Sequence, residues 1–146
     1  MKITRFEDLQ AWQHARVLAN LGCDASDQGN SARDFKLRDQ IRGAAGSVMH
    51  NCVEGFDAGF DNEFVVFLKY ARRSASEIQS QIYLALDRKY VDESAFKEIY
   101  DKATEAKKII NALIAYLLRN KKVKGLFATD FSDLHNFFKI NPRKFV

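Results

Sequence analysis

The chain predicts an all-α fold: an up-down antiparallel four-helix bundle over residues 1–120, followed by a short C-terminal extension, 121–146, with room for one small helix. Three observations carry that prediction. Proline occurs once in 146 residues, at Pro142, so helical windows run unbroken through the body of the chain. Inside those windows apolar residues recur at three- and four-residue spacing, which lays a stripe along one helix face. Between them stand short breaks marked by Gly29, Gly55 and Gly59, with no alternating pattern of the kind a half-buried strand shows. With 47% hydrophobic residues, a chain of this length buries one sizeable core.

The first helix is expected from about Glu7 to about Ala25, with Thr4 and Glu7 readable as a capping box and Ala11, Ala15, Leu18 and Gly22 on one face. Leu9 and Trp12 flank that face. A second helix runs from about Ala32 to Glu54, with Ser31 and Asp34 at its start and Gly55 as its C-terminal stop. Its core stripe is Leu37, Ile41, Ala44, Ala45, Val48 and Cys52. Asp61 is expected to cap a third helix, about Asn62 to Arg88, whose stripe is Phe64, Phe67, Leu68, Ala71, Ala75, Ile78, Ile82 and Leu86. Asp92 or Ser94 starts the fourth, to about Asn120, with Phe96, Ile99, Tyr100, Ala103, Ile110, Ile114 and Leu117 inward. In the extension, a short helix is expected around Phe131–Phe138.

Some apolar residues fall outside these stripes. Ile109, Leu113 and Tyr116 form a second stripe on the fourth helix, and Val66 and Tyr70 lie on the outer side of the third. Apolar surface of that extent is costly to leave in water, so a second subunit or the extension is expected to cover it. Gly43, Gly46 and His50 lie on the back of the second helix, opposite Val48. A glycine inside a helix costs about 0.5–1 kcal/mol relative to alanine, so the pair suggests close approach of another backbone. Gly43, Gly46, Val66, Tyr70, Ile109, Leu113 and Tyr116 are therefore the expected oligomer interface.

The net charge of +4 is unevenly placed: residues 121–146 hold six cations and two carboxylates, leaving 17 of each over the first 120. No apolar run approaches the ~20 residues of a membrane span, and the N-terminal stretch lacks the apolar region of a secretory signal. A cytoplasmic protein without membrane association is expected. Cys23 and Cys52 match no metal or redox spacing and read as reduced thiols.

Catalytic and metal chemistry finds little footing. Di-metal bundles need Glu-x-x-His pairs, but Ala11, Ser47 and Ser132 stand three residues before His14, His50 and His135. His50 and Glu54, one turn apart, are the nearest approach to a metal pair; together with Ser47 and Asn51, Glu54 is better assigned a structural polar role at the end of the second helix. No P-loop, nucleophile elbow or dinucleotide fingerprint occurs, so no catalytic residue and no cofactor is expected. Phosphate contact is the remaining chemistry, with Arg38, Arg42, Lys69, Arg72, Arg73, Arg119, Lys121, Lys122 and Lys124 as candidates.

Three stretches carry a resemblance. "FEDLQAWQHA" at 6–15, "QIRGAAGSVMHNCVEGF" at 40–56 and "EFVVFLKYARRSASEIQSQIYLAL" at 63–86 resemble the four-helix-bundle family encoded in intervening sequences of bacterial 23S ribosomal RNA genes. The accessory variability determinants of diversity-generating retroelements share that fold. In the second stretch Ile41, Arg42, Ala44, Ala45, Ser47, Asn51, Glu54 and Gly55 match the family pattern, while Gly43, Gly46, Met49, His50, Cys52 and Val53 depart from it. Met49 replaces the usual mid-helix proline, and Gly43 an outward basic side chain. The resemblance implies a small bacterial protein forming a ring-like homo-oligomer, a pentamer, with no enzymatic activity. Its retroelement branch implies nucleic-acid binding and a reverse transcriptase partner. The expected function is thus a non-enzymatic, oligomeric nucleic-acid-binding protein, RNA favoured. The alternative is a protein-interaction scaffold oligomerising through its second apolar faces.

Overall fold

The computed structural model describes residues 3–120, and among them every regular element is helical. Four helices, α1 (Gln10–Ser26), α2 (Phe35–Asp57), α3 (Asp61–Asp87) and α4 (Glu93–Asn120), follow one another in an up-down bundle. Each packs on its neighbours in chain order, and α1 closes the ring against α4. The core between them is built from Leu9, Leu18, Ile41, Val48, Leu68, Ile78, Ile82, Ile110, Leu113 and Leu117, with alanines at the close contacts. The expected extension helix and Lys121, Lys122 and Lys124 lie outside the described residues.

Helix starts follow burial more than capping motifs. Thr4 and Glu7 do not cap α1: Phe6–Asp8 form a 3-10 turn, and Leu9, fully buried, stands at the N-cap. Phe6 packs edge-on against Trp12 at 5.2 Å, so apolar docking of the leading turn sets the start. At α2 the expected cap is present, since Asp34 Oδ1 accepts from the Leu37 amide at 3.1 Å. Asp61 is the first residue of α3 rather than its cap; extended Phe60 holds that position. Asp92 Oδ1 accepts from the Ala95 amide at 2.7 Å and opens α4.

Gly55 does not end α2. The helix continues to Asp57, and Gly59, with φ +76°, makes the reversal into α3. Gly55 is instead a contact point. A Cβ there would stand 2.6 Å from Phe64 Cδ2 and 3.0 Å from Phe67 Cβ, so only glycine lets α3 cross so closely.

The second apolar stripe of α4 also needs correction. Leu113 and Tyr116 are buried within the chain, at 2% and 8% exposure, and Ile109 is half-buried. Ala112, Leu113 and Ile114 are consecutive and all buried, which a helix allows only where protein surrounds most of its circumference. Leu113 and Tyr116 are therefore core, not a free interface. Val66 and Tyr70 remain outside, each 44% exposed.

Candidate nucleic-acid interface

The α3–α4 hairpin divides sharply by charge. Residues 64–76 of α3 and 106–120 of α4 lie side by side, joined by Arg72 Nη1 donating to Asn111 Oδ1 at 2.8 Å. Together they carry Lys69, Arg72, Arg73, Lys107, Lys108 and Arg119, and not one Asp or Glu. The facing half of the hairpin, 77–105, holds seven carboxylates and four cations. Helical spacing sets Lys69, Arg72 and Arg73 on adjoining positions of one face.

Several side chains of the basic half meet neutral groups. Lys107 Nζ donates to Gln79 Oε1 at 3.0 Å, and Arg119 Nε to the Ala115 carbonyl at 3.4 Å. Arg73 lies over the Tyr70 ring at 5.6 Å. Lys69, Arg73 and Lys108 are exposed and have no carboxylate partner among the described residues. Such a face keeps the charge of these three cations available for phosphate oxygens.

The two α2 candidates are placed differently. Arg42 Nη2 donates to both Asp27 oxygens, at 2.5 and 2.6 Å, tying α2 to the end of α1, and this hydrogen bond raises the guanidinium pKa. Arg38 Nε meets Asp39 Oδ1 at 3.3 Å and its guanidinium covers the Phe35 ring at 4.9 Å. Neither joins the α3–α4 face.

The remaining polar candidates are local. Asn51 Nδ2 donates to the Ser47 carbonyl at 2.8 Å, a bond within one helical turn, while the His50 and Glu54 side chains are exposed. Among the described residues no group of three or more His, Cys, Asp or Glu could hold a metal ion. Gly43 is exposed with nothing within 4 Å of an added Cβ, and at Gly46 the nearest neighbour is the His50 ring, 3.5 Å away. Cys52 is buried and its pKa is pushed up to about 12 by desolvation. Burial also lowers the His14 pKa, partly countered by Glu105, 3.3 Å away.

Lys107 and Lys108 were not among the sequence candidates. Their signal lies in what surrounds them, the absence of any acid from 106 to 120, which emerges only when α4 is read against its partner segment on α3.

The profile described as 23S rRNA-intervening sequence protein matches residues 7–112. The chain belongs to that family. The match spans α1, α2 and α3 and ends inside α4, so the 23S rRNA-intervening sequence family covers the bundle and most of its basic face. A search of curated proteins finds no match. No helix among the described residues is long and apolar enough to cross a membrane.

Proposed function

We propose that this member of the 23S rRNA-intervening sequence family is a non-enzymatic, homo-oligomeric RNA-binding protein that attaches to phosphates through the carboxylate-free face of α3 and α4. The observation that carries the reading is the pairing of residues 64–76 with 106–120: six cations side by side without an acid among them. Counterion release from phosphates drives attachment to such a surface whatever the base sequence. Oligomerisation multiplies it, because a ring repeats one modest patch around its axis. Val66 and Tyr70, exposed beside Lys69 and Arg73, and the back of α2 at Gly43, open, and Gly46, beside the His50 ring, are the surfaces through which copies would meet. A ring of five copies is what the family resemblance implies.

The test is the triple variant Lys69→Glu, Arg73→Glu, Lys108→Glu, compared with wild type by fluorescence anisotropy on labelled RNA across a salt series. Affinity should fall at least about tenfold, and the dependence of log affinity on log salt should flatten by roughly 2, about 0.7–0.9 for each lost contact. Unchanged affinity and slope would remove this face from the mechanism. A wild-type oligomer indifferent to RNA would favour the scaffold reading, for which exposed Val66, Tyr70 and Leu118 are the available contacts.

A further inference from the structure

The opposite end of the bundle carries a separate set of groups. There the start of α2 and the α3–α4 turn border an open cleft of about 620 Å³, lined by Asn30, Arg33, Asp34, Phe35, Lys36 and Tyr90. Phe35 is 63% exposed, more than any other large apolar side chain of the described residues. The Arg38 guanidinium lies over its ring at 4.9 Å, and the ring remains largely open to solvent beyond it. A flat aromatic surface backed by a cation is a stacking platform for a base.

Formal charges at this end balance, with Arg33, Lys36, Arg38, Arg88 and Lys89 against Asp34, Asp39, Asp87, Asp92 and Glu93, so what a ligand meets depends on which of them the protein engages. Asp34 is turned into the fold, accepting from the Leu37 amide at 3.1 Å and from the Tyr90 hydroxyl at 3.2 Å. Asp92 is engaged by the Ala95 amide, and Asp39 by Arg38. Arg33, Lys36, Arg88 and Lys89 are exposed and have no carboxylate partner among the described residues; against these four stand Asp87 and Glu93, likewise exposed.

Lys89 adds an independent sign. Its φ is +59°, at the position where glycine usually closes a helix. Its amide bonds the Leu86 carbonyl at 2.9 Å, and the Tyr90 amide bonds Ala85 at 2.8 Å, the paired bonds of a Schellman motif. A residue with a cationic side chain is thus held in strained backbone next in the chain to Tyr90 of the cleft lining, and strain of this kind concentrates at functional sites.

We propose that this end of the bundle binds single-stranded RNA, stacking an unpaired base on Phe35 and holding its flanking phosphates with Arg33, Lys36, Arg88 and Lys89. The proposal rests on the RNA-binding reading above and gives it a second contact that selects unpaired over duplex RNA, since bases stacked inside a helix offer no free face. It is tested in the full chain with an oligouridine of about twelve nucleotides and an RNA duplex of about the same length. Phe35→Ala should weaken oligouridine binding roughly 5- to 150-fold while leaving duplex affinity within about twofold, and Phe35→Trp should restore it. Arg33→Glu with Lys36→Glu should also weaken oligouridine binding and reduce its salt slope by about 0.7 per lost contact. All three positions are exposed, so circular dichroism should show unchanged helix content. If wild type binds oligouridine and both Phe35→Ala and the double variant bind it equally well, this site is refuted and the α3–α4 face stands. If wild type binds neither RNA, both readings fall.

Discussion

At residue scale, Gly55 and Cys52 show opposite uses of a small side chain. Gly55 is small because the Phe64 ring occupies the space a Cβ would take, 2.6 Å from it. The ring is itself buried in the core, so it cannot swing aside freely. Gly55→Ala should therefore cost about 1–3 kcal/mol despite the better helix propensity of alanine, read as a lower urea midpoint with unchanged m-value. An unchanged midpoint would mean that α3 can shift away from α2 without loss. Cys52 is small and apolar in a tight core, and burial lifts its thiol from 9.0 to about 12. The unfolded chain ionises this thiol first, so above pH 9 the folded state holds more protons and stability falls as pH rises. The contribution is fully present below pH 9 and declines by about 1.4 kcal/mol per pH unit between 9 and 12. Cys52→Ala should start less stable at neutral pH, and its deficit should narrow from pH 9 to 11 in denaturant titrations. A constant deficit would show that the thiol is not held neutral by the fold.

At the scale of elements, helix ends are where local motif and tertiary packing compete. The Thr4–Glu7 pattern offers a capping box, but docking of Leu9 and Phe6 on the core outweighs the roughly 1 kcal/mol such a cap supplies. Asp34 and Asp92 keep their capping roles because neither competes with a buried neighbour for position. The α3–α4 turn is stable in spite of Lys89. Replacing a non-glycine residue in the left-handed region by glycine relieves about 1 kcal/mol, so Lys89→Gly should raise the urea midpoint while the helical spectrum stays unchanged. A lower midpoint would mean that the Lys89 side chain makes a stabilising contact exceeding its strain. In the first case stability is held below its optimum beside Tyr90 of the Phe35 cleft, which is the pattern expected of a residue retained for contact with a ligand.

At the scale of the whole molecule, the bundle is electrically polarised along the α3–α4 hairpin. One half of the hairpin bears six cations and no acid, the other seven acids and four cations. The four helices are nearly neutral in sum, so the polarity comes from placement rather than composition. Segments far apart in the chain, bridged by a bond between residues 39 positions apart, form the basic half, and their juxtaposition concentrates charge within about a Debye length, where phosphates respond to the cations jointly. Phe35 and its unpaired cations occupy the far end of the bundle, beyond the acid-bearing half of the hairpin. An RNA engaging both would run along the molecule, with its unpaired part at the α2 end.

Fold class, helix number, most of the core stripes and the family were legible in the sequence, because amphipathic periodicity and the near absence of proline are local properties that burial then reinforces. Legible in part were the candidate cations: Lys69, Arg72 and Arg73 stand together in the chain and remain together in space, whereas Arg42 turns to Asp27, fifteen residues away. Three matters were decided only by tertiary structure. Leu113 and Tyr116 became core, since a stripe read from a helical wheel does not say how much of a helix its neighbours surround. Gly55 became a contact rather than a stop, because the approach of Phe64 belongs to another helix. The basic face appeared only when α3 and α4 were set side by side, since charge summed along a chain is blind to which segments meet.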